Sequence, residues 1–344
     1  MDSAVVLAEG VFTSTYGKTA NGLVRFSKRY RINAVIDSRF HGQDAGEVLE
    51  GRYKGIKVVS TVEEALDLNV NTFIVGVATD GGYIPENYRS YIRDALRNSL
   101  NVVSGLHEFV GDDPEFAAIA RSSGSKITDV RKMFRDFKRP FSGEIRNVKS
   151  RKIAVLGTDS AIGKRTTAVF MNNAFQNLGL RSTMIGTGQT AWMQGFDYTV
   201  VIDSMINDFI PGGLEWAALR AWEAEQPDFM FIEGQGSVLH PAYPGSFEII
   251  GALRPDAIIL QHAPARKFFD GFPDYPIPDL SKYIRILELL SDRKVIAISL
   301  NSENLTKEQL EEEKEKLEAR FGLPVFDPLN ECSSVAKEIE ASTS

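Results

Sequence analysis

The residues best suited to chemistry form one run, Gly157-Thr158-Asp159-Ser160-Ala161-Ile162-Gly163-Lys164, followed at once by Arg165-Thr166-Thr167. The apolar run Ile153-Ala154-Val155-Leu156 precedes it, and a helix-competent stretch over 164–178 follows. Strand, glycine loop and helix in that order make a phosphate cradle. Backbone N–H groups turn inward, the helix N-terminus adds partial positive charge, and Lys164 adds a full one. The expected cofactor-binding segment is therefore 157–167. Glu233, closing Phe229-Met230-Phe231-Ile232, and His240, on the same strand-to-loop segment, are the candidate catalytic residues. Each is a group that can take a proton from an amine within hydrogen-bond reach. Asp203 follows the run 198–202, at an expected strand end beside the crevice where ligands bind, and would join Glu233 if a metal is used. Arg266 and Lys267 are candidate binders of substrate carboxylates, which arginine grips with two parallel hydrogen bonds.

These groups need a frame to hold them. Apolar runs of four to seven residues recur along the chain, separated by longer amphipathic stretches, a rhythm of βα units around a mostly parallel sheet. Strands are expected at 5–8, 34–36, 58–59, 72–77, 102–104 and 127–129, and helices at 19–30, 62–68, 83–98 and 114–123. A second series follows, with strands at 152–156, 181–185, 198–202, 229–232, 257–261 and 294–300, and a charged helix at 306–320. A length of 344 residues suits two domains. The expected division is a Rossmann-like domain over 1–135, a crossing over 136–152 that is rich in charge and contains Pro140 and Gly143, and an α/β domain opened by the phosphate loop over 153–344. In the first domain, Gly17-Lys18-Thr19 opening a helix suggests a second phosphate cradle, and Asp37 follows the second strand where Rossmann domains carry a ribose-binding acid.

Composition narrows the function classes. With 43% hydrophobic and 25% charged residues the chain reads as ordinary globular protein. A net charge of -7 argues against a general nucleic-acid binder. One cysteine, Cys332, excludes an intrachain disulfide and a cysteine-based metal cluster. No basic stretch leads into an apolar run at the N-terminus, and no apolar run approaches the roughly 18 residues of a membrane helix. The expectation is a cytoplasmic protein with a small-molecule substrate, no nucleic-acid or membrane partner, and homo-oligomerisation left open.

The phosphate loop has five residues between its glycines and resembles that of dethiobiotin synthetase and its relatives, Gly-Thr-Asp-x-x-x-Gly-Lys. Glu233-Gly234-Gln235-Gly236 resembles their Glu-Gly-x-Gly, whose glutamate binds magnesium, and Asn301 resembles their base-reading asparagine, so it joins the expected cofactor-binding residues. Those relatives place Ser or Thr directly after the lysine, to bind magnesium. This chain has Arg165 there, and one step along a helix turns a side chain by about 100°, so Thr166 does not take its place.

The whole chain resembles the two-domain D-glutamate N-acetyltransferase-like family, in which a Rossmann-like domain precedes a P-loop NTPase-like three-layer α/β domain with a mostly parallel sheet. The resemblance is carried by Thr15-Tyr16-Gly17-Lys18-Thr19-Ala20-Asn21-Gly22-Leu23, Gly76-Val77-Ala78-Thr79-Asp80-Gly81-Gly82-Tyr83 and Val103-Ser104-Gly105-Leu106-His107, then by Gly186-Thr187-Gly188-Gln189-Thr190, the Glu233 motif and His240-Pro241-Ala242-Tyr243. It implies acetyl transfer from acetyl-CoA to the amine of D-glutamate or a similar acidic amino acid. The loop would hold CoA phosphates and Gln189 would join the substrate-binding residues. The alternatives are an ATP- and magnesium-dependent ligase of the dethiobiotin-synthetase type and a nucleotide-binding regulator.

Overall fold

Six apolar runs in the first 136 residues become six parallel strands, β1 (Asp2–Leu7), β2 (Tyr30–Ile36), β3 (Lys57–Val59), β4 (Thr72–Val75), β5 (Asn101–Ser104) and β6 (Ile127–Asp129). They pair in the order β3-β2-β1-β4-β5-β6, the doubly wound Rossmann order, whose switch point lies between β1 and β4. A sheet covered on both faces needs strands apolar on both faces, and β4 is buried at every residue. The computed structural model describes residues 1–343, the side chain of Asp80 excepted.

A second parallel sheet contains β7 (Arg151–Gly157), β8 (Ser182–Ile185), β9 (Phe229–Glu233), β10 (Ala257–His262), β13 (Val295–Leu300) and β14 (Val325–Phe326). Its order is β14-β13-β10-β7-β9-β8, and a small antiparallel hairpin, β11 (Phe268–Phe269) with β12 (Phe272–Pro276), lies outside it. Strand β7 is the switch point, between β10 and β9, so the crevice above its carboxyl end is where the phosphate loop emerges. Helix Lys164–Asn177 packs on the sheet through Phe175, whose ring meets Phe229 and Phe231 edge-on at 4.9 and 4.8 Å.

Three expectations need correction. The chain divides into one unit of Met1–Asp136 with Gln189–Asp197 and another of Phe137–Gly188 with Tyr198 onward, so the second domain is not continuous. Helix Gln189–Gln194 belongs to the first unit: Thr190 and Thr19 share a buried hydroxyl pair at 2.9 Å, and Gln194 Nε2 donates to the carbonyls of Gly22 and Phe26. Second, the charged crossing 136–152 is tied to the second unit at several points, although most of 136–149 is exposed. The buried carboxylate of Glu215 accepts from the N–H groups of Ser142 and Ile145 and the Ser142 hydroxyl, Phe137 meets Trp216 at 4.9 Å, and Arg151 and Lys152 already belong to β7. Third, 198–202 is not a strand. Only one bridge, Gly186 to Thr199, forms there, and the chain then enters the 3-10 turn Ile202–Ser204. Burial of Val200, Val201 and Ile202 accounts for that apolar run without a strand, and short apolar runs do not by themselves distinguish the two.

Helix Lys307–Phe321 begins with a full capping box: Thr306 Oγ1 accepts from the Gln309 N–H, and the Gln309 side chain accepts from the Thr306 N–H. We expect Thr306→Ala to lower the stability of the second unit by about 1 kcal/mol, and Thr306→Ser by only a few tenths. The shift of the urea unfolding midpoint of the full chain reads both.

Candidate active site

Five strand ends supply the site. Gly157 closes β7, Glu233 closes β9, His262 closes β10, and Gly186 and Asn301 follow β8 and β13. From Gly157 the loop rises through Ala161, in left-handed conformation at φ 51°, and Gly163, at φ 98°, into the helix that begins at Lys164. Its glycines are needed for close approach. A Cβ on Gly157 would lie 2.9 Å from the Lys164 stem, and one on Gly234 would lie 2.2 Å from the Val155 carbonyl and 3.0 Å from that stem. Threaded between them, the buried Lys164 donates its ammonium to the Asp159 carbonyl at 2.5 Å, curling the loop around the lysine.

Asp159 ties the loop to its surroundings. Its buried carboxylate accepts from Arg266 Nη1 at 2.8 Å, from its neighbour's N–H at Ser160 at 2.7 Å, and from the Asp270 N–H at 3.1 Å. Arg266 also reaches the Ser160 carbonyl and grips Glu303. The Ser160 hydroxyl donates to Asp270 at 2.9 Å, so hairpin β11–β12 is fastened to the loop through its own turn.

His240 stands beside this carboxylate, with Nε2 3.4 Å from Asp159 Oδ1. The N–H groups of Ala242 and Tyr243 both donate to its Nδ1, at 3.1 and 3.0 Å. An Nδ1 that accepts two bonds carries no proton, which assigns the ring proton to Nε2. Burial holds the imidazole below its ordinary pKa, against the pull of Asp159, and Lys164 pushes the same way as burial. The fold of this loop depends on Gly236, at φ 52°, where a Cβ would lie 1.6 Å from the Tyr243 carbonyl oxygen.

Glu233 forms the other wall. Its Oε2 accepts from the Thr187 N–H at 2.9 Å, the Gly188 N–H is a second donor, and Arg165 Nη1 lies 3.7 Å from Oε1. Burial raises its pKa, and Arg165, the two N–H groups and Lys164 do not fully offset that. The structure thus brings a carboxylate whose pKa is raised by burial next to the cations of the phosphate loop.

Comparison with known proteins agrees with this geometry. Residues 139–337 match the family model described as DUF1611_C, a P-loop domain, and residues 38–133 match DUF1611_N, a Rossmann-like domain. The chain belongs to the DUF1611 family. It is similar to a D-glutamate N-acetyltransferase of Tritonibacter scottomollicae, at 34% identity over 78% of this chain and 80% of that one. A D-glutamate N-acetyltransferase of a Pseudoalteromonas species is 30% identical over the same shares. The crystal structure of a DUF1611 family protein from Anabaena variabilis matches with a TM-score of 0.89 and 31% identity, over 99% of this chain and 100% of that one.

Within this DUF1611 site several expected roles change. Thr167 is buried, its hydroxyl donating to Gln261 Oε1 and lying 3.1 Å from the Ser299 hydroxyl, so it faces the sheet and not the loop. Asn301 uses its amide to hold the loop, donating to the Ile162 carbonyl and accepting from the Glu303 N–H. Thr158 is likewise drawn inward, its hydroxyl 3.0 Å from His262 Nδ1. Arg266 is committed to two protein carboxylates, while Lys267 is exposed. The general-base role expected of His240 does not fit an imidazole whose free lone pair is taken by two backbone donors; its Nε2 is a hydrogen-bond donor. Asp203 lies exposed in a 3-10 turn and not at a strand end. Gln189 sits at the start of a helix of the first unit, its side chain against Gly105. Among the described residues no three or more His, Cys, Asp or Glu are grouped to hold a metal ion. In the first unit, Asp37 is not open to a ribose. Burial works to raise its pKa, but the Arg39 fork at 2.9 and 2.6 Å and the N–H groups of Phe12 and Arg39 bring it below the ordinary value.

Sequence reading missed Asp270, Glu303 and the aromatic hairpin. Asp270 and Glu303 act only through the fold, and nothing in their local spacing marks them. No helix of the described residues is long and apolar enough to cross a membrane.

Two measurements test the electrostatics. Asp159→Asn leaves Arg266 buried beside one carboxylate fewer, and should cost about 3 kcal/mol in urea unfolding, as expected for breaking a buried pair from one side. A loss of a few tenths would mean that Asp159 is not the tie. His240 is held neutral in the fold below its ordinary 6.5, so on acidification the unfolded chain takes up a proton first. Stability should therefore fall as pH drops from about 7 to about 5, and His240→Gln should flatten that slope.

Proposed function

We propose that the chain moves an acetyl group from acetyl-CoA to the amine of D-glutamate or a similar acidic amino acid, its phosphate loop holding phosphates of CoA. The observation that carries this reading is the pairing of Arg165 with Glu233 at the mouth of the loop. A loop with arginine after its lysine presents an additional fixed cation to an anionic ligand. The adjacent carboxylate has its pKa raised, as a base for an ammonium requires. The names of the two relatives support the same reaction.

In this scheme Glu233, in its ionised form, takes a proton from the substrate ammonium. The neutral nitrogen attacks the thioester carbonyl carbon, a C–N bond forms, and charge builds on the carbonyl oxygen. Collapse breaks the C–S bond, and the departing thiolate takes up a proton as free CoA. The nitrogen loses its remaining excess proton, leaving the N-acetyl amide. The exposed Lys267 is the cation offered to the substrate carboxylates, Arg165 being paired with Glu233.

Purified protein with acetyl-CoA and a panel of acidic D- and L-amino acids should release free thiol and form the N-acetyl product. Glu233→Gln should lower kcat by roughly 100-fold or more and remove the acidic limb of the pH profile. That limb should lie above the ordinary carboxylate value of 4.5, with activity rising as pH rises through it. No thiol release across the panel overturns the reading, and magnesium-dependent ADP formation from ATP would assign a ligase instead.

A further inference from the structure

Aromatic side chains gather next to the phosphate loop without a role in the chemistry above. The His240 ring contacts Tyr243 at 4.7 Å, Phe269 at 5.1 Å and Phe272 at 5.6 Å, and Phe272 in turn meets Tyr275 at 5.8 Å. His240 and Phe269 are buried, but Tyr243 and Tyr275 are 55% and 54% exposed. Large rings left open to water in a run anchored to a buried pair are surface that a flat apolar ligand would cover.

The hairpin that carries Phe272 and Tyr275 is not a detached appendage. Its turn residue Asp270 donates its N–H to Asp159 and accepts from Ser160, both in the phosphate loop. Whatever lies on these rings therefore lies beside whatever the loop holds. The geometry points to the adenine ring of the phosphorylated cosubstrate as that occupant, stacked on Tyr275 and Tyr243. This deepens the proposed function and rests on the same loop.

Two further observations favour adenine over the acidic acceptor. The hairpin carries Asp270 and Asp274 and no cation between Phe268 and Pro276, so it repels a dicarboxylate and accepts a neutral base with an amino group to donate. Asn301, the residue that the loop type suggests for reading a base, has both ends of its amide used inside the protein. Asn301 is thus already engaged in holding the loop, and stacking on aromatic rings supplies a platform for a base without hydrogen-bond readout.

The test compares ligands with and without adenine on the full chain. Dissociation constants are measured for acetyl-CoA, for S-acetyl phosphopantetheine, which lacks the nucleotide, and for ADP. Against wild type, Tyr275→Ala should weaken acetyl-CoA and ADP about tenfold each and leave S-acetyl phosphopantetheine unchanged. Tyr275→Phe, which keeps the ring, should restore binding. Equal weakening of all three ligands, or weakening of S-acetyl phosphopantetheine alone, would assign the rings to the pantetheine arm and overturn the proposal. So would unchanged binding of acetyl-CoA and ADP in both Tyr275→Ala and Tyr243→Ala. If wild type fails to bind acetyl-CoA yet binds ADP in a Tyr275-dependent way, the adenine platform stands and the acetyl-transfer reading falls. Binding of neither nucleotide by wild type overturns both.

Discussion

The second unit is organised around a carboxylate that has no contact with water. Asp159 lies inside the phosphate loop, and Arg266, two backbone N–H groups and the neighbouring imidazole converge on it. A buried charge is expensive unless it is paired and hydrogen-bonded. Here the pairing partners come from distant parts of the chain, the loop after β7, the segment after β10 and the loop after β13 through Glu303. The loop is therefore held by groups from three separate strand ends. The lysine follows from the same arrangement: with the Asp159 side chain turned outward to Arg266, its carbonyl is left to receive the Lys164 ammonium. Loop shape and cation position thus have one cause.

How much of this a sequence could reveal depends on whether the cause is local. The strand-loop-helix order at 151–177 is local, and the sheet confirmed it to within a residue or two. The same holds for the helix after Thr306, whose cap lies three residues from its partner. The stretch 189–194 was not legible as part of the first unit, because Thr190 and Gln194 find their partners more than 160 residues earlier. The anchoring of the crossing after Asp136 was not legible for a related reason. Its polarity looked like solvated linker, yet Ser142 and Ile145 surround one buried carboxylate on a helix that begins at Ile210.

Within the site the residue types were legible and the roles often were not. Glu233 stands at a strand end beside the loop, as its position after an apolar run implied. Thr167 and Asn301 have the right types for ligand contact but spend their hydrogen bonds on the protein, and only the completed sheet decides that. His240 is the clearest instance. A histidine near a phosphate loop suggests a base, whereas two backbone N–H groups two and three residues later fix its tautomer the other way. The turn Pro241-Ala242-Tyr243 that delivers those N–H groups depends on Gly236 folding under Tyr243, a contact set by conformation and not by spacing.

Two titratable groups of the site, Glu233 and His240, are shifted in opposite directions on the pH scale but toward the same state. Burial raises Glu233 and lowers His240, and in each case it is the charged form that is disfavoured. Desolvation of this kind acts on any ionisable group held in the same surroundings. The fixed cations of Lys164 and Arg165 oppose an incoming positive charge further, while attracting phosphate and carboxylate. Burial and the two cations thus act on the same small region, where Glu233 and His240 are each held away from their charged forms.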